Sequence, residues 1–398
     1  MKSARNWGRL GMKFEYRDYE LSNAIIDIAA GPFGSNLKVS CFTETGFPII
    51  DGANLKGITV TDNITKFVSE DKARSLHRSI AKRRDIVVTI SGNVGQISYI
   101  PDNSQYAEYL CSQRQFRVTF DESKIYVPYL VYYLHSVEGR SKILAFANQT
   151  GVPALSQPLK NFRKIKIDLP SLENQHKIAD ILSTLDEKIA INRAINDNLL
   201  EQASSIYQAW FEDFILSDGS CPPSWKQGTL AGIADITSGK RPPVKSAEKT
   251  DNAIIPIVGA ASVMGYTTEA NHTDKILVTG RVGTHGVVQR FNSPCWASDN
   301  TLVITSAFYE YTFQILQRID YQAMNRGSTQ PLITQGDMNK VPILIPDNET
   351  LLKFEALVGQ LMKQYQVNLL ENDKLAELRD ALLPRLMSGE LDVSDLDI

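Results

Sequence analysis

The sequence predicts an α+β protein with two mixed α/β domains separated by a long antiparallel two-helix coiled coil, arranged as an internal pseudo-twofold duplication. Three observations carry that prediction. Residues 164–206 and 340–382 repeat one pattern at an offset of 176, a short apolar run ending at Pro170 or Pro346 and then a long amphipathic stretch. The segments before each stretch run through strand and helix signals in the same order. A chain of 398 residues is also too long for one ordinary core.

The first globular segment, taken as residues 1–170, contains a β-rich stretch at 83–100 with Gly92-Asn93-Val94-Gly95 as a turn. A strand follows at 114–120, and 127–144 has helical periodicity. The second, residues 217–346, repeats this with a hairpin at 275–291 turning at Gly280-Arg281-Val282-Gly283, a strand at 300–306 and a helix at 311–319. IDIAAG (26–31) matches ADITSG (234–239) as the opening strand. The offset between copies shrinks from 208 to 176, so the second copy carries small deletions. Loops vary while the scaffold persists.

The helices fall in residues 171–216 and 347–398. Heptad spacing in the first gives Ile178, Leu182, Leu185, Ile189, Asn192, Asn196, Leu199, Ala203 and Ile206. In the second it gives Phe354, Val358, Leu361, Tyr365, Asn368, Asn372, Leu375, Arg379 and Leu382. The two polar seam positions match between the copies, asparagine for asparagine, and on antiparallel helices Asn192 and Asn196 are expected to face the Asn368/Asn372 layer or its neighbours and fix register. A stripe this long must bury itself, and the nearest partner is its own duplicate. Ser171 and Asp347 are the expected N-caps. The first helix is expected to end near Phe211–Phe214, with 216–228 as a linker. Pro384 should kink the second helix and Gly389 should stop it.

The net charge of −3 hides an uneven distribution. Residues 15–170 hold 19 basic against 16 acidic side chains and 217–346 hold 11 against 10, whereas 171–216 and 347–398 hold 3 against 8 and 5 against 11. Mildly basic domains on acidic helices suit binding to a limited set of phosphates. No apolar window is long enough to span a membrane, and no apolar core of a signal peptide follows the basic N-terminus. Cys41, Cys111, Cys221 and Cys295 form no CxxC pair, which suits a reducing cytoplasm and argues against structural zinc.

No catalytic or metal signature emerges. Ser238-Gly239-Lys240 lacks the spacing of an ATP loop, and the glycines of 280–286 lack that of a dinucleotide site. The candidates for binding are polar and basic groups near turns. In the first segment these are Lys82, Arg83, Arg84, Asn93, Gln113, Arg114, Gln149 and Thr150. In the second they are Lys240, Arg241, Lys245, Arg281, His285, Asn300, Arg326, Ser328 and Gln330. Arg, Asn and Gln pair bidentately with base edges, and Lys mostly positions on phosphates.

Duplicated domains alternating with helices, the helix opening PSLENQ (170–175), GPFGSNLK (31–38) and the terminal LRDALLPRLMSGELDV (378–393) together resemble the specificity subunit of Type I restriction–modification enzymes. The second helix opening, DNETLL (347–352), departs from that pattern. The resemblance implies a non-catalytic reader of double-stranded DNA with two target-recognition domains, each taking one half of a bipartite site, and helices that set the spacer. It implies two methyltransferase subunits that bind S-adenosylmethionine, and restriction subunits that use ATP and Mg. A coiled-coil adaptor that binds only proteins is the alternative.

Overall fold

The computed structural model describes residues 16–148, 153–324, 332–394 and 396. The chain forms two compact units, one of the chain up to Ala190 with the chain from Asn372, the other of Ile191–Glu371. Each unit holds one sheet domain and one end of both long helices.

In the first unit an antiparallel sheet runs in the order Ile25–Ala30, Gln115–Phe120, Ile86–Thr89, Ile97–Tyr99. Phe116 stands opposite both Ala30 and Val88. Ile86, Val88, Phe116 and Val118 on one face pack against Leu130 and Tyr133 of the helix Val127–His135. The helical stretch expected at 127–144 divides at Ser136, whose extended backbone ends one helix. Its hydroxyl accepts from the Gly139 N–H to start the next, Val137–Leu144. A mixed five-stranded sheet, from Phe42–Thr43 to Ile80–Lys82, adds one parallel pairing, Ile49 opposite Leu110. Arg17–Glu20 pairs antiparallel with Lys166–Leu169 just before the central helix.

The second unit repeats the topology. Its sheet runs Ala234–Ser238, Thr301–Ser306, Ile276–Gly280, Gln289–Phe291. A three-stranded sheet again has one parallel pairing, Ile257 opposite Trp296. Lys226–Thr229 pairs with Pro342–Ile345 before the C-terminal helix. The smaller mixed sheet, three strands against five, accounts for much of the shrinking offset.

The central helix spans Leu172–Tyr207 and the C-terminal helix Asn348–Met387. Both expected N-caps form. Ser171 Oγ accepts from the Asn174 N–H at 3.3 Å, and Asp347 Oδ1 accepts from the Thr350 N–H at 2.9 Å. In the first unit Ile178 and Leu182 share a core with Leu386 and Met387, and Arg379 pairs with Asp186 at 2.6 Å. In the second unit Asn192 reaches Glu371 and Asn196 reaches Asn368, so the helices run antiparallel there. Of the seam positions, Ile178, Leu182, Ile189, Asn192, Asn196, Leu199, Ala203, Phe354, Val358, Asn368 and Asn372 are buried. Leu185, Leu361, Tyr365 and Leu375 are half-buried, and Met362 joins the buried set.

Three local details add to these expectations. The central helix ends at Tyr207 and is extended by one wide turn, Gln208–Glu212, which seats Phe211 against Tyr311 at 4.7 Å and Phe354 at 5.1 Å. The segment 216–228 is not only a linker. Trp225 is buried and its indole N–H donates to Asp347 at 2.8 Å, because a buried indole needs an acceptor. The C-terminal helix continues past Pro384 to Met387. Gly389 then takes φ +74° while the Leu391 N–H closes onto the Arg385 carbonyl at 3.2 Å.

Candidate nucleic-acid interface

The antiparallel registers determine which loops share an edge. In the first unit Gln115 pairs with Thr89 and Phe116 with Ala30. The loop after Ala30, the hairpin tip 90–96 and the turn 112–114 therefore emerge at the same end of the sheet. In the second unit Ser238 pairs with Leu302, and Gly280 with Thr301. This gathers the loop after Ser238, the tip 281–288 and the turn at 298–300. Asn93, Gln113 and Arg114 thus meet in one domain, and Lys240, Arg241, Arg281, His285 and Asn300 in the other.

In the first domain these loops frame a cleft of about 590 Å³. Asn93, Gln96, Gln113, Arg114 and Gln115 line it beside apolar Leu37, Val39 and Phe42. Two buried oxygens on its wall, Thr89 Oγ1 and Gln96 Oε1, have no hydrogen-bond partner. Polar atoms left in that state favour a ligand that pairs them. On the rim Asp51 accepts from Lys66 Nζ at 2.5 Å. Burial raises the Asp51 carboxyl, but the Lys66 ammonium and the Ala53 N–H outweigh it and hold the group below its ordinary value.

The two donors of Gln113 are already used. Its Nε2 donates to the carbonyls of Gly34 at 3.0 Å and Leu37 at 2.8 Å, within the GPFGSNLK segment. That leaves no amide donor for bidentate pairing with adenine, so Gln113 organises the loop. Arg114 is exposed and makes no ion pair with a described residue.

Lys82, Arg83 and Arg84 do not join this edge, because they precede Ile86 at the opposite end of the sheet. Lys82 stands 3.8 Å from Glu108, and Arg83 donates to the Ser104 carbonyl. Arg84 chelates Asp102 through Nε at 3.0 Å and Nη2 at 2.6 Å and lies over the Tyr126 ring. It is a structural arginine, not a free one.

In the second domain the Arg281 N–H donates to the Asn300 carbonyl at 2.8 Å, which joins the two turns. His285 places Nδ1 3.1 Å from the Gly280 carbonyl, leaving Nε2 buried without a partner. Lys240 and Arg241 are exposed on the loop after Ser238, and exposed Lys245 lies further along it. His272 is pushed below its ordinary value by burial and then by the Lys240 charge. Gln149, Thr150, Arg326, Ser328 and Gln330 lie outside the described residues. Their flanks behave alike in the two domains. The Leu155 N–H donates to the Ile90 carbonyl and the Ile333 N–H to the Arg281 carbonyl, so each flank runs along its tip.

Sequence reasoning passes over Gln96, Thr89 and Gln115. Each is a polar residue at a strand end, with no local signal that its side chain faces a cleft.

Two sheet domains of one topology, each gathering polar and basic loops at one edge and each rooted on the same helices, define a duplicated recognition protein. The pattern described as the Type I restriction modification DNA specificity domain matches residues 34–201 and again residues 222–379. The chain belongs to that family. It is a DNA specificity subunit of a Type I restriction–modification system with two target-recognition domains, a non-catalytic role. It is similar to the MjaIX specificity subunit of Methanocaldococcus jannaschii, 24% identical over 83% of this chain and 82% of that protein. The HindI specificity subunit of Haemophilus influenzae is 21% identical over 57% of this chain and 69% of that one. The crystal structure of the Type I S subunit from M. genitalium shares the fold, with a TM-score of 0.60 and 18% identity over 97% of this chain and 98% of that one. No helix among the described residues is long and apolar enough to cross a membrane.

Proposed function

We propose that each target-recognition domain reads one half of a bipartite double-stranded DNA site, and that the paired helices fix the number of base pairs between the halves. One observation carries this reading. Both domains bring the same three loops to one sheet edge, yet those loops hold different side chains, Asn93 and Arg114 in one and Arg281 and Asn300 in the other. A shared scaffold with divergent loops is what two readers of different sequences require.

Two methyltransferase subunits complete the working complex in the cytoplasm. They bind S-adenosylmethionine and methylate DNA, while restriction subunits add ATP- and Mg-dependent cleavage. This chain contributes the choice of site. Exposed Lys240, Arg241 and Lys245 supply phosphate contacts, and the convergent polar residues supply base contacts.

Domain exchange tests the reading. Residues 15–170 are replaced by the corresponding domain of another specificity subunit, and methylated sites are mapped across a host genome. One half-site should change while the other half and the spacer stay as they were. Unchanged specificity would sink the two-reader assignment. Inserting seven residues into both helices should lengthen the spacer and leave both half-sites intact.

A further inference from the structure

The loop GPFGSNLK (31–38) is one of the three at the recognition edge of the N-terminal domain. At its tip is Phe33, 76% exposed, between Pro32 and Gly34. A single exposed apolar side chain is ordinary in itself. The backbone beneath this one is not.

Gly31 packs so closely on the neighbouring turn that a Cβ there would lie 1.8 Å from the Ser112 carbonyl oxygen. Its N–H donates to the Gln115 carbonyl at 2.8 Å. Beyond the tip, Gln113 holds the carbonyls of Gly34 and Leu37. The Asn36 N–H closes onto the Phe33 carbonyl at 3.1 Å. The ring is thus displayed from a loop fixed on both sides by the segment that carries Arg114. The same order seats Leu37 in the core beside Phe47 and Ile49, but it leaves the Phe33 ring in water, held ready for a contact with a ligand.

The second domain builds the same mount and changes its tip. A Cβ on Gly239 would lie 2.1 Å from the Ser298 carbonyl oxygen, and the Gly239 N–H donates to the Thr301 carbonyl. The next two residues are Lys240 and Arg241, where the first domain has Pro32 and Phe33. One tip is hydrocarbon and the other cationic.

We propose that Phe33 is a specificity-determining residue of the N-terminal domain, its ring packing on thymine methyl groups in the major groove of that domain's half-site. The proposal rests on the two-reader assignment. A phenyl ring has no donor or acceptor with which to read base edges. The apolar mark in the major groove is the C5-methyl of thymine, which distinguishes A·T from G·C and thymine from uracil.

The test uses the specificity subunit assembled with its methyltransferase subunits. Methylated sites are mapped for wild type, Phe33→Ala and Phe33→Leu. Duplexes are then made with each thymine of the first half-site replaced singly by deoxyuridine. In the wild type one replacement should weaken binding by about tenfold, the scale of one methyl group in an apolar contact. Phe33→Ala should lose that sensitivity and relax the map at the same position, leaving the second half-site unchanged. Phe33→Leu should keep part of the sensitivity, which separates lost contact from a disturbed loop. A half-site without thymine, or equal uracil sensitivity in wild type and Phe33→Ala, would overturn the proposal. Domain exchange does not depend on Phe33. A successful exchange beside an unaltered Phe33→Ala map overturns this contact alone, and a failed exchange overturns the reading beneath it.

Discussion

Asn368 donates from Nδ2 to Asn196 Oδ1 at 2.9 Å, and the two side chains are 3% and 4% exposed. The contact is part of a ladder between the helices in the second unit. Asn196 Nδ2 donates to the Tyr365 carbonyl at 3.2 Å, Gln364 supports Asn368 at 2.8 Å, and Asn192 reaches Glu371 at 2.8 Å. A buried polar ladder on a coiled-coil seam is favourable only while each member is paired, because water cannot replace a lost partner. Leucines on this seam could slide by a turn at small cost. Asparagines that must meet Asn368 and Tyr365 cannot, so they restrict register.

Truncating one partner should therefore be worse than removing both. Asn368→Ala leaves the Asn196 carbonyl oxygen buried without its donor and should lose about 1–3 kcal/mol. Replacing Asn196 and Asn368 together by leucine should restore or exceed wild-type stability, with some loss of unique register. Denaturant unfolding of the single and double variants reads the difference. A single variant as stable as wild type would remove the ladder from the account.

Glu355 predicts a pH dependence. Its carboxylate accepts from the N–H groups of Tyr311 at 2.8 Å and Glu310 at 3.1 Å, at the start of the helix Tyr309–Arg318. Burial nevertheless raises its pKa to about 7. The two N–H groups and Arg290 oppose the rise, while Glu310, itself paired with Arg290 at 2.7 Å, adds to it. The folded state thus holds a proton between about pH 4.5 and 7 that the unfolded chain releases. Stability from this group is present at low pH and is lost as pH rises through about 7. At 1.36 kcal/mol per pKa unit the effect is at most about 3 kcal/mol. Glu355→Gln keeps an acceptor without the titration. Melting temperatures from about pH 5 to 8 should fall more steeply in wild type than in the variant, and parallel curves would refute the assignment.

Gln175 does the corresponding work in the first unit with a neutral amide. It is fully buried, accepts from the Tyr126 N–H at 2.8 Å and donates to the Pro170 carbonyl at 3.0 Å. It joins the start of the helix Val127–His135 to the start of the central helix. Gln175→Leu strands a donor and an acceptor together and should cost about 2–5 kcal/mol. Calorimetry on the variant checks this, and a loss below about 1 kcal/mol would mean that water replaces the amide.

Periodicity alone makes the helices legible, because a stripe repeating over many turns leaves few other folds. The hairpins at 83–100 and 275–291 are legible from their glycines, and the N-caps from Ser171 and Asp347. The contacts that assign roles are not. The sequence neighbours of Gln113 do not hint that its amide is consumed by the distant carbonyls of Gly34 and Leu37. Nor does KRR at 82–84 disclose that Arg84 belongs to Asp102. Glu355 shows the limit most directly. The second copy lacks the Leu-Glu-x-Gln opening, and the counterpart of Gln175 at the 176 offset is apolar Leu351. Glu355, one helical turn further on, caps the neighbouring helix instead. The offset survives between the copies, but packing moves the function to another position.

Arg114 and Lys240 should separate base reading from phosphate positioning. Arg114 stands on the rim of the cleft beside Asn93 with no ion pair among the described residues, so its planar fork is free for a guanine edge. Arg114→Ala should cost about 1–3 kcal/mol for the preferred duplex and relax preference at one position of the first half-site. Lys240 is an exposed point charge on the other domain's loop, close enough to depress His272. Lys240→Ala should weaken all duplexes alike and reduce the slope of log K against log salt by about one. Binding titrations of the assembled complex over a salt series, on duplexes varied one base pair at a time, measure both quantities together. If Arg114→Ala lowered the salt slope without changing any base preference, Arg114 would be a phosphate contact, and reading in that domain would rest on the remaining groups of the cleft.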